Sequence, residues 1–234
     1  MKIYIINLDA ESDRWNSSQI ELSRLDLQGM RFSAVNKDQI LVPAGTLVTK
    51  GVKACWESHR SVFQEFLSSG ADYALIFEDD FSIRRLHRLK RLMREEEYVG
   101  FDVVQIGFLT PGIHRKIDQS YKNLEAVFFW TLSRLVKNLF KKDSTMRQRL
   151  RVQISEKTSW GFVPDDFLPG SHTYIISRKA AELALVLNNP QFLSADDFFI
   201  AWAKMRSVRF VRPLFTITTQ KKFKRLIGPR FLNS

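Results

Sequence analysis

Ile3 to Ile6 form a continuous apolar run rich in β-branched residues, and a polar stretch from Asn7 to Asp13 follows at once. Such a run, closed by turn-forming residues, predicts a buried strand. Trp15, Leu22 and Leu25 then recur at i, i+7 and i+10, the spacing of one helical face. Met30 to Val35 reads as a second strand, and strand–helix–strand predicts an α/β fold around a parallel sheet. Residues 36–53 lack periodicity, contain Pro43 and Gly45, and read as a loop. From Ala54 to Ser69 the spacing is helical, with Cys55, His59, Val62, Phe63 and Phe66 on one face and Gly70 as the stop. Tyr73 to Phe77 is another buried strand, and it runs directly into Glu78, Asp79 and Asp80. Asp102 to Ile106 predicts a further strand, ended by Gly107.

The second half is less regular. Residues 111–123 are polar and read as loop, whereas Leu124 to Phe140 is amphipathic, with Arg134, Lys137, Lys141 and Lys142 towards its end. Residues 155–170 carry Gly161, Pro164, Pro169 and Gly170, a long irregular stretch of the kind that serves as a binding loop. His172 to Ser177 is strand-like, and Lys179 to Leu187 is helical. Ser194 caps a helix that carries Asp196 and Asp197 in its first turn. Val208 to Thr219 is extended, and Lys221 to Arg225 form a basic cluster around Phe223.

A length of 234 residues suits one large α/β domain or two small ones, and 19 Phe with 5 Trp supply apolar area for a sizeable core. The balance of 36 Lys and Arg against 25 Asp and Glu leaves a formal charge of +11, which attracts nucleic acid, anionic lipid or phosphate-rich substrates without choosing among them. The single cysteine, Cys55, excludes an intrachain disulfide and fits a reducing compartment. The opening apolar run is too short for a signal sequence and meets Asp9 and Glu11, so none is expected. No apolar stretch approaches the length of about 18 residues that a membrane-spanning helix needs, so any membrane contact is expected to be peripheral.

Glu78-Asp79-Asp80 is the most informative local feature. In open α/β sheets, ligands bind beyond the carboxyl ends of strands. Adjacent carboxylates there repel one another, and a divalent cation offsets the repulsion; carboxylate oxygens suit Mg²⁺ or Mn²⁺. Such a cation can bridge a diphosphate and neutralise a leaving group. The plain alternative is a solvated acidic turn. Asn7, Asp9 and Arg14 follow the first strand, so parallel pairing would bring them to the same sheet edge. There Arg14 can pair with a phosphate and Asn7 can read a base or ribose. Turn and helix-capping chemistry accounts for the same residues. Cys55 and His59 lie one helical turn apart, but without a third nearby donor a buried, hydrogen-bonded histidine is the simpler reading than a zinc pair. A Gly-rich phosphate loop is absent from the sequence, which argues against a P-loop or dinucleotide enzyme.

Taken together, these segments resemble glycosyltransferase family 25, the bacterial lipooligosaccharide galactosyltransferases and their relatives. Ile5-Ile6-Asn7-Leu8 with Asp13-Arg14 is similar to the family's opening. Gly51 to His59 resembles its Gly-Glu-Ile-Gly-Cys-x-x-Ser-His segment, and Leu75 to Asp80 its strand with acidic motif. Gly170 with Tyr174 to Ser177 and Ala180 or Ala181 resembles a later Gly-x-x-x-Tyr-x-x-Ser segment, after which Asp196 holds the position of a family Asp. Val52 stands where the family has Glu, and Ala54 where it has Gly.

The resemblance implies a GT-A-like nucleotide-diphospho-sugar transferase fold with a mostly parallel central sheet, and an inverting transfer of a hexose, usually galactose, from a UDP-sugar. The acceptor would be a lipooligosaccharide or lipopolysaccharide. Residues 1–220 would form the transferase domain, with 1–107 binding nucleotide and 108–220 facing the acceptor, and 221–234 would be a basic tail. Glu78 and Asp80 would hold Mn²⁺ or Mg²⁺, with Asp79 structural. Asn7, Leu8, Arg14, Glu78, Asp79 and Asp80 would line the donor site. Inversion needs a base for the acceptor hydroxyl; Asp196 and Asp197 are the candidates, Asp196 preferred, although acidic residues in a first helical turn are also good capping chemistry. His59 would brace the site from behind. The enzyme would sit in the cytoplasm, peripheral on the inner face of the membrane, with the basic tail or the 124–142 segment touching anionic lipid. No nucleic acid partner is expected, yet a metal-dependent nuclease uses the same carboxylates and basic face. An inactive sugar-nucleotide-binding relative is the other competing reading, kept open by Val52 and Ala54.

Overall fold

A computed structural model describes residues 1–41, 48–109, 162–189, 191, 193–213 and 216–221. The predicted 124–142 amphipathic segment, the 111–123 loop, Pro43, Gly45 and the basic cluster from Lys222 onward lie outside them.

The chain opens with β1 (Lys2–Asn7), α1 (Ser12–Ser23) and β2 (Met30–Ser33), then a short 3₁₀ turn at Lys37–Gln39. Helix α2 (Lys50–Ser68) leads to β3 (Tyr73–Glu78), β4 (Phe81–Ile83), α3 (Leu86–Arg94) and β5 (Val103–Gly107). After β6 (Phe162–Pro164) come β7 (Thr173–Ser177), α4 (Arg178–Leu187), α5 (Ala195–Met205), β8 (Phe210–Pro213) and β9 (Thr218–Gln220). Among the described residues the strands form one sheet in the order β2-β1-β3-β7-β5-β8-β6, with β9 joining β4 to β5.

Strands β2, β1, β3, β5, β8 and β9 share one direction, so the sheet is mostly parallel as the pattern predicts. Strand β7 is the exception at its centre. It pairs antiparallel with β3 through Phe77 and Thr173, and antiparallel with β5 through Val103 and Ile176. Strands β6 and β4 are also reversed. Helices cover both faces, which is why the central strands read as continuous apolar runs. Side chains alternate by residue. Tyr4, Ile6, Ala74, Ile76, Tyr174 and Ile176 pack with Trp56, Phe63 and Phe66 of α2, Ala180 and Ala184 of α4, and Phe199 and Trp202 of α5. Ile5, Leu75, Phe77, Val104, Ile106 and Ile175 face the other way, onto Leu22 of α1 and Leu89 and Leu92 of α3.

Several boundaries differ from the sequence reading. Helix α2 begins at Lys50 inside the expected loop, because Thr49 caps it by accepting from the Val52 N–H at 3.3 Å. Cys55, expected on the buried face, is exposed. Gly107 closes β5 from within, and the expected extended stretch 208–219 breaks into β8 and β9. Part of the expected irregular 155–170 stretch is strand β6, held antiparallel to β8. Gly70 ends α2 as expected, at a φ of +74° that favours glycine. Among the described residues no helix is long and apolar enough to cross a membrane.

Candidate functional site

Parallel pairing of β1 with β3 aligns Ile6 with Glu78. The turns that follow both strands therefore meet at one sheet edge, where the Asp79 N–H donates to the Ile6 carbonyl at 3.1 Å. The reversed β7 delivers its leading residues to the same edge, and the Glu78 N–H donates to the His172 carbonyl at 2.8 Å. Gly170, Ser171 and His172 thus stand beside the carboxyl end of β3, although far from it in sequence.

The acidic residues divide into distinct roles. Asp79 points inward and is buried. It accepts from Asn7 Nδ2 at 2.7 Å and Arg14 Nη1 at 2.9 Å, and its carbonyl accepts from Ser18 Oγ at 3.0 Å. Burial pushes the Asp79 carboxyl above its ordinary range; Asn7 and Arg14 pull back against this, and Glu78 adds to it. Asp79 is thus tied into the fold by Asn7, Arg14 and Ser18. Asn7 and Arg14 meet the acidic turn, but through Asp79. Asn7 is 1% exposed, donates also to the Glu11 carbonyl and accepts from Arg31 Nε at 2.9 Å. Its amide is taken up inside the fold rather than presented to a base or ribose. Arg14 pairs with Asp79 and approaches Glu11 at 3.8 Å, so its first task here is to hold the turn. Leu8 is exposed on the rim, and Asp9 accepts from Ser33 Oγ at 2.6 Å.

Glu78 and Asp80 stay at the rim, as alternation predicts. Glu78 Oε1 stands 3.5 Å from His59 Nε2 and 3.4 Å from Ser171 Oγ. Burial opposes its charge, but His59, His172 and Ser171 together hold the carboxyl below the usual range. Asp80 has the opposite fate. Burial, reinforced by Glu78 and Asp79 and only partly relieved by Arg14, pushes it up to about 7. Its Oδ1 is buried and makes no hydrogen bond to the described residues. An orphaned carboxylate oxygen beside a second carboxylate is a fitting donor set for a hard divalent cation.

The predicted base candidates separate. Asp196 Oδ1 accepts from the Ser171 N–H at 2.7 Å, and Ser171 Oγ in turn meets Glu78. Asp196 is thereby tied to the acidic rim. Asp197 is exposed, its carboxylate is taken by Ser194 Oγ at 2.6 Å, and it serves the cap of α5. Lys221 departs from expectation. It turns inward, with Nζ 3.0 Å from Glu21 and 2.7 Å from Ser17 Oγ, so it is a fold contact.

Sequence reasoning missed three partners. Ser171 joins Asp196 to Glu78. Tyr174 Oη lies 2.8 Å from His59 Nδ1 and fixes that ring from behind, the bracing role expected of a buried His59. His172 is fully buried, packed so closely on Gly107 and Gly170 that an added Cβ would lie 2.4 Å from its Nε2 and 3.0 Å from its Nδ1. Burial lowers the His172 pKa, with Glu78, the Thr218 carbonyl and Asp196 working against that. The only signal for these three is the spacing from Gly170 to Ser177, because β7 reaches the site by non-local pairing. Cys55 completes the edge. The residue is exposed on its outer side, while desolvation on the side facing the rim and the negative charges of Glu78, Asp196 and Asp80 push its thiol up. One donor atom each from Cys55, His59 and Glu78 lie within 4.8 Å of one another.

The family model described as "Glycosyltransferase family 25 (LPS biosynthesis protein)" matches residues 1–200. "Inactive glycosyltransferase 25 family member 3" of Homo sapiens is 29% identical over 127 residues, which covers 45% of this chain and 21% of that protein. "Probable inactive glycosyltransferase 25 family member 3" of Bos taurus is 26% identical over 127 residues, with the same coverage of 45% and 21%. The match thus spans about a fifth of the length of these curated relatives, 21% in each case. Among solved structures, the crystal structure of A197 from STIV covers 99% of this chain and 100% of that one, at a TM-score of 0.40 and 13% identity.

Proposed function

This chain belongs to glycosyltransferase family 25, and from that premise we propose that it transfers a hexose, galactose in the first instance, from a UDP-sugar to a lipooligosaccharide or lipopolysaccharide acceptor. The fold we assign to this reading is GT-A-like, with residues 1–107 gripping the donor and 108–220 facing the acceptor. One observation carries it: Asp80 Oδ1 is buried without a hydrogen-bond partner among the described residues, beside Glu78 at the carboxyl end of β3. That geometry suits a donor bound as a metal–diphosphate complex.

Glu78 and Asp80 would hold Mn²⁺ or Mg²⁺, which when bound offsets the charge of the diphosphate leaving group. The chain's own residues do the rest. Asn7 and Arg14 fix Asp79, and Asp79 fixes the backbone turn from which Asp80 projects. His59, braced by Tyr174, and Ser171 orient Glu78. Asp196, held by the Ser171 N–H, is the base that takes the proton from the acceptor hydroxyl as the sugar–oxygen bond forms with inversion. We assign the enzyme to the inner face of the cytoplasmic membrane, where a net charge of +11 favours a phosphate-bearing glycolipid.

A second reading, a sugar-nucleotide-binding relative without turnover, is favoured by the names of the two relatives. The test is thermal stability with UDP and Mn²⁺, followed by product analysis with UDP-galactose, UDP-glucose and their N-acetylated forms. A ligand at a hundred times its Kd stabilises the native state by about 2.7 kcal/mol. Stabilisation with turnover supports the transferase; stabilisation without turnover on any acceptor supports the inactive relative. No response to UDP, together with Mg²⁺-dependent cleavage of DNA or RNA, would replace both with a nuclease.

A further inference from the structure

We propose that Cys55, His59 and Glu78 form a second cation site, selective for a thiophilic divalent metal such as Zn²⁺, which shares Glu78 with the donor site. Cys55 and His59 stand one turn apart on α2, so their side chains project from one face. Glu78 meets them from the end of β3. Their donor atoms lie within 4.8 Å of one another. Two first-row ligands at about 2.0 Å from one tetrahedral zinc are separated by about 3.3 Å, and His59 Nε2 and Glu78 Oε1 are 3.5 Å apart.

His59 points to a ligand independently of the cysteine. The residue is 1% exposed, and Nε2 makes no hydrogen bond to the described residues while aiming at Glu78. The 3.5 Å separation exceeds the roughly 2.9 Å of a good N–H···O bond. On the opposite side of the ring, Nδ1 lies 2.8 Å from Tyr174 Oη. With Nδ1–H donating to that oxygen, Nε2 presents its lone pair to the cluster. A metal-binding histidine is ordinarily held this way by a partner behind it. A thiolate, a neutral imidazole and a carboxylate neutralise a divalent cation, and three protein donors leave a fourth tetrahedral position open. Binding releases the thiol proton to solvent as the sulfur–metal bond forms. Softness separates the two sites: sulfur and imidazole suit Zn²⁺, whereas carboxylates alone suit Mg²⁺ or Mn²⁺.

The site itself stands whether or not the chain transfers sugar. Its consequence rests on the proposed function: zinc takes Glu78 from the donor site, and so weakens the binding of UDP with Mn²⁺. The full chain is titrated with Co²⁺ as a spectroscopic stand-in, then with Zn²⁺. Wild type gives a thiolate-to-cobalt charge-transfer band that zinc abolishes, and Cys55→Ser gives none. Because the chain has one cysteine, iodoacetamide labelling of wild type reports on Cys55 alone and needs no variant. Zinc slows that labelling at least tenfold, and Mg²⁺ leaves it unchanged. Absence of the band with equal labelling in both metals overturns the site, as does a Cys55→Ser protein that binds zinc as tightly as wild type. These readouts contain no sugar nucleotide, so their failure is separate from that of the transferase reading. If zinc binds but leaves the UDP–Mn²⁺ stabilisation intact, the inhibitory consequence is overturned.

Discussion

Asp80→Asn is expected to make the metal-free protein more stable while removing its response to UDP with Mn²⁺. Burial and the charges of Glu78 and Asp79 carry this carboxyl from an ordinary value of 3.8 to about 7. At about 1.4 kcal/mol per pH unit, that displacement corresponds to about 4 kcal/mol. Solvent at the rim screens part of it, so a gain of about 2 kcal/mol is expected for the neutral variant. The unfolded chain ionises Asp80 near 3.8 and the native chain near 7. Between those values the native state holds the extra proton, and stability falls as the pH rises. The loss is complete above about pH 7 and absent below about pH 4. Urea unfolding with a chelator present, at about pH 4, 6 and 8, reads the difference directly. The variant should match wild type at the lowest pH and exceed it at the highest. An Asp80→Asn protein less stable than wild type at pH 8, or one whose advantage is the same at every pH, would refute the electrostatic account of this turn.

Three further substitutions probe what supports the site. Asn7→Leu strips one hydrogen bond from the buried Asp79 carboxylate and should cost about 2–4 kcal/mol in chemical unfolding; a loss under about 0.5 kcal/mol would mean that Arg14 alone holds Asp79. Gly107→Ala would place a Cβ 2.3 Å from Thr218 Oγ1 and 2.4 Å from His172 Nε2, so overpacking of about 1–3 kcal/mol should lower Tm, and an unchanged Tm would show that β9 yields freely. Glu21→Gln weakens the contacts to the Ile83 N–H, Lys221 and Arg24. Burial raises the Glu21 carboxyl, but those partners outweigh it and leave it below its ordinary 4.5. The contribution, about 1–3 kcal/mol, is present above that value and disappears as the pH falls through the lower native one; a variant equally destabilised in strong acid would contradict this.

What could be read from the sequence was local. Strands β1, β3 and β5 were legible because helices bury both of their faces and leave unbroken apolar runs. The acidic turn was legible because Glu78, Asp79 and Asp80 adjoin such a run, and alternation along the extended backbone already separated Asp79 from its neighbours. The start of α2 was hidden because Lys50, Gly51 and Lys53 give its first turn no apolar stripe, and only Thr49 signals it. Helix α3 escaped notice because Leu89 and Leu92 are its only fully buried side chains among a run of basic ones. Strand β4 has three residues, and its identity comes from pairing with β9, far along the chain. The same non-locality concealed Ser171 and Tyr174. Nothing near Glu78 in sequence announces that a reversed strand will be inserted between β3 and β5.

The departures from the family pattern at Val52 and Ala54 bear unequally on whether the site is active. Ala54 is 4% exposed in the core, and its carbonyl accepts from Ser58 Oγ at 2.7 Å. Alanine within a helix is favoured over glycine by about 1 kcal/mol, so this departure strengthens α2 without touching the acidic rim. Val52 lies three residues before Cys55 and seven before His59, on the same helical stripe. Its carbonyl accepts from Gln191 Nε2 at 3.4 Å, and the residue is half-buried. Glu78, Asp80 and Asp196 all stand at the positions that the family resemblance marks, and Ser171 meets both Asp196 and Glu78. Under the proposed function, a loss of activity through Val52 would act on how a substrate is seated, while the groups proposed to bind a cation and accept a proton stay in place. That asymmetry favours the transferase over the inactive binder.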